Sequence, residues 1–101
     1  MVIVPKSWGR EEWIVNDEYC GKFLHVNAGK SSSLHYHKTK KETYCILKGT
    51  IHLRLNGTGR LLGEMEIATI EPGQTHQFTG ITDAVILEVS THHDDEDTVR
   101  L

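Results

Sequence analysis

Two histidines and a glutamate near the middle of the chain have the types and spacing of a metal site. His35 and His37 are two residues apart, so both imidazoles leave the same face of an extended strand. Glu42 follows five residues after His37, which lets the chain turn and return a carboxylate on an adjacent strand. Imidazole nitrogens and a carboxylate oxygen that converge on one point suit a divalent transition metal. The glycines around this stretch, and a further histidine, favour a metal site over a solvated strand edge.

That further histidine lies in a second segment. Residues 70–78 read as an apolar residue, a Pro-Gly turn and then His76 at the start of a new strand. Pro72 has a fixed φ and Gly73 allows φ > 0, so the turn is tight and His76 has a defined direction. The sequence therefore predicts that His76 supplies another ligand to the same site.

These two segments resemble the paired motifs of the cupin superfamily. The first segment reads G-x5-H-x-H-x4-E-x6-G over residues 29–49 and matches at both glycines, both histidines and the glutamate. The second departs from the usual P-x-G-x-x-H, because Pro72 directly precedes Gly73 and Met65-Glu66 stand where Gly-Asp is usual. The resemblance implies a barrel in which four residues hold one divalent metal ion. These residues are His35, His37, Glu42 and His76.

The pattern of short segments predicts the elements that position these ligands. About nine short strands without a sustained 3.6-residue period indicate an all-β chain. Residues 6–15 start irregular and become a strand, and the other predicted strands cover residues 19–26, 31–37, 42–48, 50–55, 60–62, 67–70, 76–79 and 84–90. Asn56-Gly57 is a strong signal for a two-residue hairpin. Closing such strands into a barrel removes exposed edges. We therefore predict a cupin-type double-stranded β-helix, that is, a jelly-roll barrel.

Length and composition indicate one domain. The chain has 101 residues, of which 38% are hydrophobic and 25% are charged, as is typical of a soluble globular protein. We expect a single cupin domain with an N-terminal strand arm over residues 1–91. Residues 92–101 are rich in aspartate and glutamate, and we expect them to form an acidic, solvated and mobile tail.

Charge and cysteine usage bear on partners and location. The net charge of −3 with mixed signs argues against a nucleic-acid binder, which would carry a basic stripe. No apolar run approaches the ~18 residues of a membrane span, and the N-terminal apolar run is too short for a signal peptide. Cys20 and Cys45 form no C-x-x-C pair and are expected to be free thiols. These features predict a cytoplasmic protein without a membrane or nucleic-acid partner.

Both ends of the chain resemble one group of cupins. Residues 6–13 read K-S-W-G-R-E-E-W and resemble the K-P-W-G-x-E motif of the type II mannose-6-phosphate isomerase group, with Ser7 in place of proline. Residues 87–100 are similar to that group's E-V-x-x-G…D-D-I-V-R segment, although the D-x-Y-G-R that often follows is absent. Cupins of this group occur fused to guanylyltransferases and as small separate proteins. The resemblance implies an isomerase-like role in carbohydrate metabolism or polysaccharide biosynthesis.

The predicted metal site suits sugar chemistry. A bound ion would act as a Lewis acid on a carbonyl and a neighbouring hydroxyl, which fits aldose–ketose isomerisation. Zn, Mn, Fe and Ni all suit the ligand set. For the proton-transfer residue, the candidates on chemistry alone are Tyr44, Glu64 and Glu66. A sugar phosphate also needs cations near the metal. The basic loop contributes Lys38, Lys40 and Lys41, the N-terminal motif contributes Lys6 and Arg10, and Tyr44 completes the candidate substrate-binding residues.

Three functions stay open on these residues. The favoured one is a metal-dependent sugar or sugar-phosphate isomerase, because a glutamate ligand together with this N-terminal motif points to sugars. The second is a non-catalytic sugar- or metabolite-binding cupin, such as the partner of a nucleotidyltransferase. The third is a small non-haem iron dioxygenase. Apolar residues on both faces of the strands also predict a homodimer that uses the N-terminal strand.

Overall fold

A computed structural model describes residues 1–101 as two antiparallel β-sheets that face each other. The elements in chain order are β1 (Val2–Lys6), β2 (Gly9–Asn16), β3 (Tyr19–Val26), β4 (His35–His37), β5 (Glu42–Lys48), β6 (Ile51–Leu55), β7 (Thr58–Leu62), β8 (Ile67–Ile70), β9 (His76–Gly80), β10 (Ala84–Thr91), a 3₁₀ turn (Asp95–Asp97) and β11 (Thr98–Arg100). The first sheet has the order β1-β2-β3-β10-β5-β8, and the second has the order β11-β4-β9-β6-β7. The prediction of an all-β jelly-roll fold is confirmed.

Alternating residues of facing strands build the core between the two sheets. In β5, Tyr44 and Ile46 are buried while their neighbours are partly exposed, and β6 buries Ile51 and Leu53 in the same way. Trp8 packs edge-on against the ring of Phe78, at 4.9 Å between centroids. Each such side chain contributes about 1.5–3 kcal/mol when it leaves water. The apolar core fills one part of the barrel and leaves the other part to polar residues.

Two turns depend on residues that adopt positive φ. Asn56 and Gly57 have φ of 48° and 81° and join β6 to β7 in a two-residue hairpin, as the sequence predicts. Gly49 ends β5 at φ 78°, and a Cβ placed there would lie 2.2 Å from the carbonyl oxygen of Asp83. Only glycine fits this position, because both the φ angle and the close backbone approach exclude a side chain.

Each end of the chain forms a strand that was not predicted as a separate element. β1 pairs antiparallel with β2, so the predicted arm is one half of a hairpin. β11 pairs antiparallel with β4, and Thr98 lies opposite His37. Part of the expected tail over residues 92–101 therefore forms a strand, although none of these residues is buried. Three strand residues are too few for a periodic pattern, and their hydrogen-bonding partner lies about 60 residues away in the chain.

The predicted strand over residues 31–37 is shorter in the structure. Only His35–His37 form β4, whereas Ser31 makes a single bridge to Thr79. Cys20 and Cys45 are free thiols, the first buried and the second partly exposed. The chain contains no helix with the length and apolar character needed to cross a lipid bilayer.

Candidate metal centre

Two neighbouring strands bring the three predicted histidines together. His35 and His37 are alternate residues of β4, and His76 opens β9 directly opposite His35. One side-chain nitrogen from each of the three residues lies within 4.8 Å of the other two. The rings of His35 and His76 are 4.2 Å apart between centroids. The structure therefore assembles the histidine set that the sequence predicts.

Glu42 reaches the same point from the other sheet. It is the first residue of β5, and its side chain is 1% exposed. Its Oε1 lies 3.1 Å from His76 Nε2, and its Oε2 lies 3.6 Å from His37 Nε2. The carboxylate thus faces two of the three imidazoles, and four side chains from three strands border one small volume.

The turn before His76 ties the two motifs to each other. Gly73 has φ 82°, and its backbone N–H donates a hydrogen bond of 2.7 Å to the carbonyl of His37. Gln74 N–H donates to the carbonyl of Glu71, which closes the turn. The Pro72-Gly73 sequence therefore makes a compact turn, despite its departure from the usual motif spacing. The turn sets the direction in which His76 enters its strand, and it is hydrogen-bonded to the backbone of His37.

Hydrogen bonds at Nδ1 orient the imidazole rings. His35 Nδ1 lies 2.8 Å from the carbonyl oxygen of Ser33, and His76 Nδ1 lies 2.9 Å from that of Gln74. A carbonyl only accepts, so Nδ1 carries the proton in both rings and Nε2 keeps its lone pair. His37 Nδ1 lies 3.1 Å from the hydroxyl of Thr98. Each ring can therefore present Nε2 as a metal ligand.

Burial keeps these groups in the protonation states that a metal requires. Desolvation lowers the pKa of His35 to about 4 and that of His37 to about 3, because burial disfavours the imidazolium ion. Both rings are neutral at pH 7. Burial acts to raise the pKa of Glu42, but His76 and Lys40 outweigh it, and the net pKa is well below its usual value. Neutral imidazoles and an ionised carboxylate are competent ligands.

Three of the candidate ligand atoms also make no hydrogen bond. Glu42 Oε1, Glu42 Oε2 and His76 Nε2 are buried without a hydrogen bond, although the ammonium of Lys40 lies 3.0 Å from Glu42 Oε2. A buried polar atom without a partner costs about 1–3 kcal/mol. A divalent cation between these atoms would satisfy all three. Nitrogen and oxygen donors in this mixture suit Zn, Mn, Fe or Ni, so the residues fit a metal ion.

A cavity of about 70 Å³ lies beside the histidines. One water molecule needs ~10–15 Å³ of such volume, so the cavity accommodates several waters or a small polar group. Most of its lining is polar. The cationic side chains are Lys6, Lys22, Lys40 and Arg100, and the acidic ones are Glu11, Glu42, Glu88 and Asp95. The candidate metal ligands thus lie beside a cavity that is lined by equal numbers of cationic and acidic side chains.

The ammonium of Lys40 lies in this cavity and contacts three side chains. Its Nζ lies 3.0 Å from Glu42 Oε2, 2.9 Å from Glu88 Oε2 and 3.0 Å from His93 Nδ1. Burial acts to lower the pKa of Lys40, but the two carboxylates outweigh it and raise that pKa. The ammonium thus has two carboxylates as ion-pair partners and an imidazole nitrogen as a hydrogen-bond acceptor. Lys40 therefore belongs to a buried charge network and is not a free cation for substrate.

The other predicted substrate-binding residues divide into two groups. Tyr44 lines the cavity and is buried, and burial raises the pKa of its phenol well above the usual value. The side chains of Lys38, Lys41 and Arg10 do not line the cavity, and their role in substrate binding stays a prediction. Lys41 pairs with Glu71 at 3.4 Å on the exposed surface, and Arg10 lies 3.9 Å from Glu12. Residues 38–41 form a loop in which only the side chain of Lys40 is buried.

The candidate proton-transfer residues also differ from the prediction. Glu64 and Glu66 lie in an exposed turn, where they accept hydrogen bonds from the backbone N–H groups of Gly49 and Gly63. Neither lines the cavity. Instead, Glu11 and Glu88 do, and sequence reasoning missed both.

Lys22 is a further cavity residue that sequence reasoning missed. It is 1% exposed, and its Nζ lies 3.3 Å from Glu11 Oε1 and 4.3 Å from the centre of the Trp13 ring. A signal for it was present: Lys22 alternates with Leu24 and Val26 on the buried face of β3. A charged residue on a core face marks a polar interior.

Comparisons with known proteins place this geometry in context. A model of the cupin domain family matches residues 22–90. The chain is 29% identical over 102 residues to mannose-1-phosphate guanylyltransferase ManC of Salmonella typhimurium. That alignment covers 96% of this chain but 21% of ManC, so the chain spans about a fifth of the length of this relative.

Two solved structures show the same fold. The capsular polysaccharide assembling protein CapF of Staphylococcus aureus superposes with a TM-score of 0.87 at 19% identity, over 99% of this chain and 31% of CapF. A cupin-superfamily sugar phosphate isomerase from Silicibacter pomeroyi superposes with a TM-score of 0.69 at 23% identity, over 76% of this chain and 52% of the isomerase. At these identities, the likeness concerns the fold.

Proposed function

This chain belongs to the cupin domain family, and from that premise we propose that it binds a divalent transition metal and, beside it, a sugar or sugar phosphate. The favoured activity is aldose–ketose isomerisation. One observation carries the proposal: three histidine nitrogens lie within 4.8 Å of one another and face the buried Glu42 carboxylate, beside a polar cavity that His35, His37 and Glu42 line. The relatives and structural neighbours with sugar-related names support the substrate class.

The ligand set would consist of three imidazoles and one carboxylate. These residues are His35, His37, His76 and Glu42. A divalent metal held there would supply Lewis acidity to a sugar carbonyl and its neighbouring hydroxyl. Hydrogen bonds at Nδ1 hold the rings of His35 and His76 in place, so metal binding requires little reorganisation of these side chains.

Charge balance in the cavity favours an anionic ligand. Four cationic and four acidic side chains line the cavity, and two of the acidic ones, Glu42 and Glu88, are bonded to Lys40. A divalent cation adds two positive charges to this balanced set. We therefore propose that the phosphate or carboxylate of a substrate binds in the cavity near one or more of the cationic lining residues Lys6, Lys22 and Arg100.

Glu88 is the proton-transfer candidate that the geometry supports best. It lines the cavity, and burial, together with the charge of Glu42, raises the pKa of its carboxyl. A raised pKa brings a carboxyl group closer to the range in which it exchanges protons at neutral pH. Tyr44 is held protonated by burial and would act as a hydrogen-bond donor to a sugar oxygen.

A second candidate is a sugar-binding module without catalysis. The alignment with ManC covers nearly all of this chain but a fifth of that protein, so the matching region is one part of a larger sugar nucleotidyltransferase. In this alternative, the metal centre orders a sugar ligand beside a nucleotidyltransferase. Sugar binding without turnover would favour this function.

Metal analysis combined with a sugar panel tests both functions. Protein purified without added metal should contain about one divalent ion per chain, and His76→Ala should lose most of it. His52→Ala is the matched control, since His52 lies on β6 outside the cavity. Turnover of mannose 6-phosphate or lyxose supports the isomerase. Equal metal content in the His76 variant contradicts the site, and Fe(II) with O2 consumption would support a dioxygenase.

We also propose that the chain forms a cytoplasmic homodimer through the N-terminal hairpin. β1 is an edge strand of the first sheet, and Val2 and Ile3 are 60% and 57% exposed. An apolar edge strand is a template for pairing with a second chain. The two free thiols agree with a reducing compartment.

A further inference from the structure

Residues 92–101, called here the C-terminal segment, contact the loop that joins two metal-ligand candidates. That loop covers residues 38–41, between His37 and Glu42. Asp97 Oδ1 accepts a hydrogen bond of 2.9 Å from the backbone N–H of Thr39, and its Oδ2 accepts one of 3.0 Å from that of Lys40. Lys38 N–H donates to the carbonyl of Asp97. The segment therefore holds the backbone of the loop along most of its length.

The same segment contacts His37 itself. Thr98 Oγ1 lies 3.1 Å from His37 Nδ1. By contrast, Nδ1 of His35 and of His76 each faces the carbonyl two residues earlier in its own segment. Those two rings are oriented locally. The orientation of His37 depends on a residue 61 positions further along the chain.

The segment also reaches Glu42 through one intermediate. His93 Nδ1 accepts a hydrogen bond of 3.0 Å from the ammonium of Lys40, and that ammonium lies 3.0 Å from Glu42 Oε2. His93 is itself anchored, because its backbone N–H donates to Asn16 Oδ1 and its carbonyl accepts from Asn16 Nδ2. Lys40 is thus held from both sides, by the segment and by Glu88 of β10.

We propose that the C-terminal segment positions two of the four metal ligands, His37 and Glu42, and thereby sets the metal affinity; this inference rests on the proposed metal site. When Nε2 of His37 is a ligand, Nδ1 carries the proton and donates to Thr98 Oγ1, which fixes the ring with Nε2 toward the site. Asp97 fixes the loop that separates His37 from Glu42, and His93 holds Lys40 against the carboxylate. The rings of His35 and His76 are instead bonded at Nδ1 to carbonyls of their own segments, although Arg100 lies opposite His35 in the β11–β4 pair. These are positioning residues, since none of them contacts the metal position directly.

The test measures Zn²⁺ affinity by competition with a chromophoric chelator, using the full chain. Thr98→Val removes the acceptor at nearly constant shape and should weaken Zn²⁺ binding about 10–100-fold, the range for a lost partner behind a metal-bound histidine. Thr98→Ser restores the hydroxyl and should restore affinity. Asp97→Ala should weaken binding as well. Glu96→Gln is the matched control, because Glu96 is exposed in the same segment and its side chain makes no hydrogen bond.

A second readout separates positioning from general stability. Thermal unfolding of the metal-free Thr98→Val protein should match that of the wild type within a few degrees, while its Zn²⁺ affinity falls. Unchanged Zn²⁺ affinity in Thr98→Val overturns the inference, whatever its unfolding temperature. If the wild-type chain binds no Zn²⁺, Mn²⁺, Fe²⁺ or Ni²⁺, the proposed function itself fails. The two failures are therefore distinguishable.

Discussion

The ammonium of Lys40 lies 3.0 Å from the carboxylate of Glu42, with both side chains almost completely buried. The same ammonium lies 2.9 Å from Glu88, so one cation compensates two interior carboxylates. A buried carboxylate without a partner would be driven to its neutral form, which is a poor metal ligand. The pair therefore keeps Glu42 ionised although it is buried, at the position where a metal would bind.

Removing the Lys40 ammonium should destabilise the protein strongly. Lys40→Met leaves Glu42 and Glu88 buried without their cation, and losing one partner of a buried pair costs about 3–5 kcal/mol. Lys41→Met is the control, since Lys41 pairs with Glu71 on the exposed surface. That change should cost less than about 1 kcal/mol. Urea unfolding of the metal-free proteins measures both, and equal costs would show that the buried network is not formed.

Glu11 should give a pH-dependent contribution to stability. Burial acts to raise its pKa, but Lys22, Trp13 and Lys6 outweigh it, and the net pKa lies below the ordinary value of 4.5. A carboxyl with a lowered pKa stabilises the fold above that ordinary value, and the stabilisation disappears as the pH falls through the folded-state pKa. The difference in unfolding free energy between wild type and Glu11→Gln should therefore be largest near pH 7 and shrink below about pH 4.5.

The control for this pH series is Glu18→Gln, in the exposed turn between β2 and β3. It should match the wild type at every pH, because no basic group lies within salt-bridge distance of Glu18. A Glu11→Gln difference that is constant from pH 7 to pH 3 would contradict the ion pair with Lys22.

Metal addition should raise the unfolding temperature of the metal-free protein. A ligand that binds only the folded state stabilises it by about 2.7 kcal/mol at a concentration of 100 Kd. The shift should be absent in His76→Ala and intact in His52→Ala. Differential scanning fluorimetry with Zn²⁺, after treatment with a chelator, provides the measurement. A full shift in the His76 variant would place the metal elsewhere.

Two glycines with the same φ should differ in their tolerance of alanine. Gly49 and Gly29 both have φ of 78°, a conformation that costs a non-glycine residue about 1–2 kcal/mol. A Cβ at Gly49 would also lie 2.2 Å from the carbonyl oxygen of Asp83, whereas a Cβ at Gly29 has nothing within 4 Å. Gly49→Ala should therefore be far more destabilising in urea unfolding. Similar costs would mean that the backbone at Gly49 relaxes.

The oligomeric state tests the proposed dimer. Light scattering at micromolar concentration should give the mass of two chains, and Ile3→Glu on the edge strand β1 should shift it to one chain. Leu61→Glu is the control, because Leu61 is 61% exposed on β7 of the other sheet. A monomeric wild-type protein would refute the dimer. A dimer that persists in Ile3→Glu would move the interface away from β1.

Local patterns in the sequence determined most of the strands and the ligand set. The predicted strands over residues 19–26, 42–48 and 67–70 coincide with β3, β5 and β8, since alternation with period two is written in neighbouring residues. The Asn56-Gly57 hairpin and the Pro72-Gly73 turn follow from the φ preferences of single residues. The spacing of His35, His37 and Glu42 likewise predicted which side chains would converge.

Only the tertiary structure decided which charges surround the metal candidates. Residues 38–41 form one basic loop in the sequence, and nothing there distinguishes its three lysines. The fold buries Lys40 and leaves the other residues of the loop at the surface. β11 and the contact of Thr98 with His37 join parts of the chain 61 residues apart. No local pattern encodes such pairs, because they depend on how two sheets close around a polar interior. The candidate ligands were therefore predictable from the sequence, and the groups that orient them were not.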